Sequence, residues 1–172
     1  MRFPRFIPLV LLVVSVVGRA EAGGFSISSP DFAEGGSIPA RFTCEGEDVS
    51  PALNIAGVPA GTRTLALVVE DPDAPSGTFT HWIVWNISVG VTRLAAGGLP
   101  AGAQQGTNEF GNVGYNGPCP PSGTHRYYFR LSALDGPLRL AAGASRQDFD
   151  AAIKGHVVAS AEVMGRYAKS GR

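Results

Sequence analysis

The chain has 172 residues, 44% of them apolar, which is enough for one domain with a real core and too apolar for a disordered chain. Its formal charge is zero and no basic cluster stands out, which argues against nucleic-acid binding through a charged surface. The 23 glycines and 13 prolines favour a loop-rich β protein over a helical bundle.

At the N-terminus, Arg2 and Arg5 flank an apolar run over 9–17, and Ala20-Glu-Ala22 follows as a small-x-small pattern. This reads as a secretory signal peptide over 1–22, leaving one domain over 23–172 that is exported to the periplasm or secreted. The apolar run is short for a transmembrane helix, so an integral membrane protein is not expected; an uncleaved tether is the alternative. No cysteine near the cleavage point indicates a lipid anchor. Cleavage removes three arginines and one glutamate, leaving 11 basic and 13 acidic side chains. Cys44 and Cys119 are the two cysteines. In an exported chain they read as one disulfide; two separate buried thiols are the alternative, because sequence does not show whether their Cα atoms approach. No CxxC or HxH spacing accompanies them, so no metal is expected there.

Alternating apolar and polar residues over 25–29 predict an opening strand. A turn-rich link over 31–39 leads to a second predicted strand over 40–44. The acidic loop over 45–51 reads as solvated carboxylates; calcium ligation is the sharper alternative, without the usual ligand spacing. Strands follow over 52–56 and 64–69, the latter apolar on both faces as in a central strand. The loop Glu70-Asp-Pro-Asp-Ala-Pro75 precedes a strand over 81–87. Strict alternation places His81, Ile83, Trp85 and Ile87 on one face of it, and Trp82, Val84 and Asn86 on the other. Residues 90–106 read as an irregular loop with one short strand. A strand from His125 carries His125, Tyr127, Phe129 and Leu131 on one side, with Arg126 turned outward to an ion pair. Ser145 with Asp148 predicts a helix start, and Phe149, Ala152, Ile153 and His156 recur at helical spacing, with His156 packed at the helix end marked by Gly155. A final strand runs over 157–167.

Two stretches carry the chemistry. The loop from Gly114 to Gly123 is rich in Gly, Asn, Pro and Ser, and its successive N–H groups suit an anion nest. It runs straight into the strand opened by His125. The 70–75 loop leads likewise to the strand opened by His81. The expectation is that Asp71, His81 and His125 converge on one small pocket. The plainer readings are two structural histidines, a turn aspartate at Asp71 that bonds its own backbone, and Asp73 capping the loop. A hydrolase lacks a G-x-S-x-G elbow; Ser122 has no identifiable base, and Cys119 is a nucleophile only if reduced. A two-histidine, one-carboxylate metal site ranks third.

Asp71-Pro-Asp-Ala-Pro75, the histidine opening His81-Trp-Ile-Val-Trp-Asn-Ile87, and Gly117-Pro-Cys-Pro-Pro-Ser-Gly-Thr-His-Arg-Tyr127 together resemble the phosphatidylethanolamine-binding protein family, in its bacterial Raf-kinase-inhibitor-like branch. The resemblance spans about residues 25–167. It implies a mainly β fold of two packed, largely antiparallel sheets, with a short C-terminal helix and long loops. It also implies an anion pocket for phosphate-like or phospholipid head groups, formed by Asp71, Pro75, His81, Gly117, Pro118, His125 and Tyr127. In that pocket His81, His125 and Tyr127 donate hydrogen bonds beside the Gly117 backbone, and Pro75, Pro118 and Trp82 form walls. Cys119 stands where relatives outside the bacterial branch tend to have proline. A cis peptide is implied in the 71–75 loop, with Ala74–Pro75 as the candidate. The expected function is an exported, non-catalytic binding protein without cofactor or metal, whose partner is a small anionic ligand. A protease inhibitor or other interaction protein is the alternative, and a hydrolase the third reading.

Overall fold

A computed structural model describes residues 24–170; the expected signal peptide lies outside them. Among the described residues, eight strands, one 3-10 turn and one helix make three layers. Strands β1 (Ser26–Ser28), β2 (Leu53–Ala56) and β5 (Arg93–Leu94) form a small antiparallel sheet in the order β1-β2-β5. The large sheet has the order β6-β4-β3-β7-β8, from β6 (Gln104–Gln105), β4 (Phe79–Ile87), β3 (Thr64–Asp71), β7 (Thr124–Leu134) and β8 (Val157–Ala168). All its pairings are antiparallel. The mainly β, two-sheet expectation holds.

The central strand β3 is buried along its whole length because both faces are covered. On one face Leu65, Leu67 and Val69 pack with Phe129 and Leu131 of β7 and with Ile27, Leu53, Ile55 and Leu94 of the small sheet. On the other, Ala66 and Val68 pack with Ile83, Trp85 and Phe149. Phe149 belongs to the helix α1 (Arg146–Ile153), which begins with a capping box: Ser145 Oγ accepts from the Asp148 N–H, and the Asp148 carboxylate accepts from the Ser145 N–H. Burying the Phe149 ring contributes about 2–3 kcal/mol to holding the helix on the sheet.

Several local expectations are corrected. Residues 40–44 are not a strand: Pro39 enters a 3-10 turn at Ala40–Phe42, closed by Phe42 N–H to Pro39 O at 3.0 Å, with Phe42 its one buried side chain. The stretch 90–106 holds two short strands, β5 and β6, each paired to a different sheet. His156 is not packed at the helix end; its Nδ1 sits 2.7 Å from exposed Asp135.

Cys44 and Cys119 are bonded, with Cα atoms 5.4 Å apart across 75 residues of sequence. Beside the bridge the Cys44 N–H donates to Pro118 O at 3.2 Å, so the 3-10 segment and the 117–121 loop are stapled twice. Restricting so long a loop in the unfolded chain stabilises the fold by roughly 4 kcal/mol. The Cys44→Ala/Cys119→Ala double variant should therefore lose roughly that much in urea unfolding, and reductant should shift the wild-type midpoint similarly. An unmoved midpoint would show that the staple is not a main support.

Candidate functional site

The site begins with the way β3 ends. Glu70 and Asp71 are consecutive, so their side chains leave opposite faces of the strand. Glu70 turns toward α1, where Arg146 Nη1 reaches it at 2.9 Å and Arg130 pairs with its other oxygen. Asp71 turns to the face shared with β7. Both carboxylates are almost fully buried and both are hydrogen-bonded, as buried charges must be.

Across from them β4 carries a β-bulge. Val69 pairs with Trp82, but Glu70 pairs with Thr80, so His81 is an extra residue without an opposite number. Strict alternation places His81 with Ile83 and Trp85, and those two do pack toward α1. The bulge instead turns His81 to the Asp71 face, which it shares with Trp82 and Val84. A second irregularity, with Asn86 at φ +57°, returns Ile87 to that same face. The alternation expected for 81–87 is thus broken at both ends.

Asp71, Pro75, His81 and His125 line a single cavity of about 180 Å³, together with Ala74, Ser76, Phe79, Phe110, Cys119, Pro120 and Pro121. Its size suits one small polar group, below the usual range for drug-sized ligands. His125 Nδ1 lies 2.7 Å from Asp71 Oδ2. Asp71 Oδ1 accepts the Asp73 N–H at 2.8 Å, so this carboxylate closes the turn and orients a histidine at once. Asp73 does not cap the loop; it accepts from the Arg126 backbone N–H, Nε and Nη2 at 2.9, 2.9 and 2.6 Å, which is the outward ion pair expected of Arg126. The 71–77 turn closes with trans peptides, Gly77 N–H donating to Ala74 O at 3.1 Å; no described peptide bond is cis, Ala74–Pro75 included.

His81 Nδ1 lies 2.7 Å from the backbone oxygen of Asn116. A carbonyl only accepts, so Nδ1 carries the proton and a neutral ring presents Nε2 as a lone pair. Burial pushes the His81 imidazole below its ordinary value, against the opposing pull of the Asn116 carbonyl, so the neutral form is favoured. Neither Nε2 atom, of His81 or of His125, has a hydrogen-bond partner among the described residues, and both residues line the cavity.

Tyr127 is not on the lining. Its ring packs edge-on to His81 at 5.3 Å, its hydroxyl is fully occluded without a partner, and burial with the neighbouring Asp71 charge keeps its phenol protonated well above the ordinary range. Gly117 and Pro118 also stand behind the wall. The Gly117 N–H donates to Asp48 Oδ1 at 2.6 Å and the Asn116 N–H to His81 O at 3.1 Å, so these two amides of the expected nest are committed to the protein. A Cβ at Gly117 would stand 2.2 Å from the Phe42 carbonyl oxygen, which explains the glycine by close packing. Trp82 lies outside the lining as well, its Nε1–H donating to Gln105.

Sequence reasoning missed the supports. Asp48, read as a solvated loop charge, accepts from both Gly117 and Asn116 Nδ2. Glu45 of the same loop accepts from the Tyr167 hydroxyl and the Ser170 N–H. Buried Asn108 donates to Gly114 O and Asn116 Oδ1 at 2.9 Å and accepts from the Phe110 N–H, placing Phe110 against Phe79 and His81. Phe79 was within reach, two residues before His81; nothing local marked Phe110 or Asn108. Among the described residues no three His, Cys, Asp or Glu side chains are arranged to hold a metal ion, and no helix is long and apolar enough to cross a membrane.

The family model described as phosphatidylethanolamine-binding protein matches residues 28–168. The UPF0098 protein of Methanothermobacter thermautotrophicus is 50% identical over 141 residues, covering 79% of this chain and 93% of its own length. The corresponding protein of Pyrococcus horikoshii is 42% identical, covering 94% and 88%. Among solved structures, a phosphatidylethanolamine-binding protein homologue from Chlamydia trachomatis superposes with a TM-score of 0.81 at 41% identity, covering 86% of this chain and 99% of that one. Escherichia coli YbcL, described as a member of the mammalian family, superposes with the same TM-score at 34% identity, covering 86% and 100%.

The depressed His81 value has a consequence for stability. Unfolded, the imidazole titrates near 6.5; folded, it titrates lower, so below that pH the unfolded chain binds more protons. Ligand-free protein should therefore lose stability as pH falls through 6.5, until the folded-state value is passed. In denaturant titrations from pH 7 to 5, His81→Asn should lose less stability than wild type. An equal loss in both would show that His81 is not held neutral.

Proposed function

The chain belongs to the phosphatidylethanolamine-binding protein family, and from that premise we propose that its cavity binds a phosphate-like group together with a proton, without chemistry on the ligand. The observation that carries this reading is that His81 and His125 line one small cavity together with Asp71, each with Nδ1 bound to the protein and no hydrogen-bond partner for Nε2 among the described residues.

A bare dianion has no reason to enter beside a carboxylate and a neutral imidazole. The arrangement works when one proton accompanies the ligand. A phosphomonoester monoanion donates its P–OH to His81 Nε2 and accepts from His125 in its imidazolium form, in which Nδ1–H is held by Asp71 and Nε2–H is left to donate. Alternatively a dianion takes up a proton on His81 as it binds; the proton count is the same. Pro75, Pro121 and the ring of Phe110 bound the ligand, and Tyr127 acts from behind by fixing the His81 ring.

Support for a non-catalytic role comes from the absence of an activated nucleophile on either imidazole among the described residues. The Cys119 sulfur, which borders the cavity, is committed to the disulfide. The same bridge supports export, since such bonds persist in oxidising compartments, and it fits the leader expected over 1–22. The ligand's source is the phosphate-bearing head group of a lipid or a free phosphomonoester.

Calorimetry with phosphoethanolamine in phosphate- and sulfate-free buffers tests the proposal. Affinity should fall by up to about tenfold per pH unit above the phosphomonoester's second pKa near 6, with proton uptake that depends on buffer ionisation. His125→Ala should weaken binding by about tenfold or more. Full affinity in that variant, or binding indifferent to pH, would overturn the reading.

A further inference from the structure

The two loops that enclose the cavity also enclose something beyond it. Residues 71, 74–76 and 119–121 line the cavity; Asp73 and residues 122–124, from the same two loops, line a polar groove of about 480 Å³, completed by Arg126 and Arg166. His125 borders both, so groove and cavity are neighbours across one residue.

The groove's charges do not balance. Arg126 and Arg166 are directly opposite each other in the β7–β8 ladder, on the outer face of the sheet. Cross-strand partners have Cβ atoms about 5 Å apart, and like charges there repel. The one carboxylate lining the groove is Asp73, and Arg126 occupies it with three hydrogen bonds. That pairing holds the Asp73 carboxyl down at about 2, so it stays ionised and neutralises Arg126 alone. Arg166 has no carboxylate partner among the described residues. One unmatched guanidinium therefore sits beside a cavity suited to a phosphate, with the Ser122 and Thr124 hydroxyls on the same walls.

We infer that this groove is a second anion subsite, centred on Arg166, which selects a small phosphomonoester that also carries a carboxylate. The inference rests on the phosphate reading of the cavity. The phosphate enters between His81 and His125, and the carboxylate lies in the groove, where the Arg166 guanidinium fork donates to it and the cross-strand repulsion is relieved. No bond is made or broken.

O-Phosphoserine and phosphoethanolamine share a phosphate and an amine and differ by one carboxylate, so they isolate the subsite. In calorimetry at pH 6 and low salt, phosphoserine should bind about three- to tenfold tighter, the range expected for a partly exposed charge pair. Arg166→Gln, an exposed substitution checked by thermal unfolding, should bring the ratio of the two affinities close to one. Equal affinities in wild type, or a ratio unchanged in Arg166→Gln, would overturn the subsite while leaving the cavity reading intact. If neither compound nor inorganic phosphate binds wild type, both readings fall together.

Discussion

One extra residue in β4 is the constraint on which the site depends. Without the bulge at His81, alternation would send that imidazole into the layer between sheet and helix, among Ile83, Trp85 and Phe149. With it, two successive side chains, His81 and Trp82, point to the same side, and that side of β4 gains a polar group lining the same cavity as Asp71. The cost of the irregularity is offset nearby: the His81 carbonyl accepts from the Asn116 N–H, and its ring donates back to the Asn116 carbonyl. The bulge and the 114–121 loop thus define each other.

The same strands solve a second problem, the burial of two adjacent carboxylates. Glu70 is answered by two guanidinium groups and Asp71 by one imidazole. The difference decides what each can do. A carboxylate between arginines is a fixed structural charge. A carboxylate on a histidine leaves that ring's other nitrogen free to meet a ligand, with a proton that depends on the surroundings. Behind both, the Asp48 and Asn108 networks and the Cys44–Cys119 bridge set the far wall, so loops distant in sequence hold the cavity without a regular element between them.

Much of this was legible in the residues. The apolar runs named β3, β4 and β7; the Ser145–Asp148 pair named the helix start; the position of His125 before alternating aromatics gave the correct face over residues 125–131, where β7 pairs without a bulge. The convergence of Asp71, His81 and His125 was expected from two similar strand–loop junctions. What alternation alone misplaced was the face of His81, because a bulge is a property of pairing between strands and leaves no mark in one strand's pattern. Gly117 was read for its amide and matters for its missing Cβ, since sequence does not show which way a loop's N–H groups turn. Asp48 looked like any acidic loop residue until the partner 69 residues away was in place.

The central claim is that two imidazoles share one cavity, each with Nδ1 committed to the protein and Nε2 open to a ligand. Long-range proton–nitrogen NMR on the histidine side chains tests it directly. His81 should be found in the Nδ1–H tautomer at neutral pH, and phosphoethanolamine should shift the Nε2 resonances of His81 and His125 together along one saturation curve. An Nε2–H tautomer for His81, or ligand shifts confined to one ring, would contradict the account.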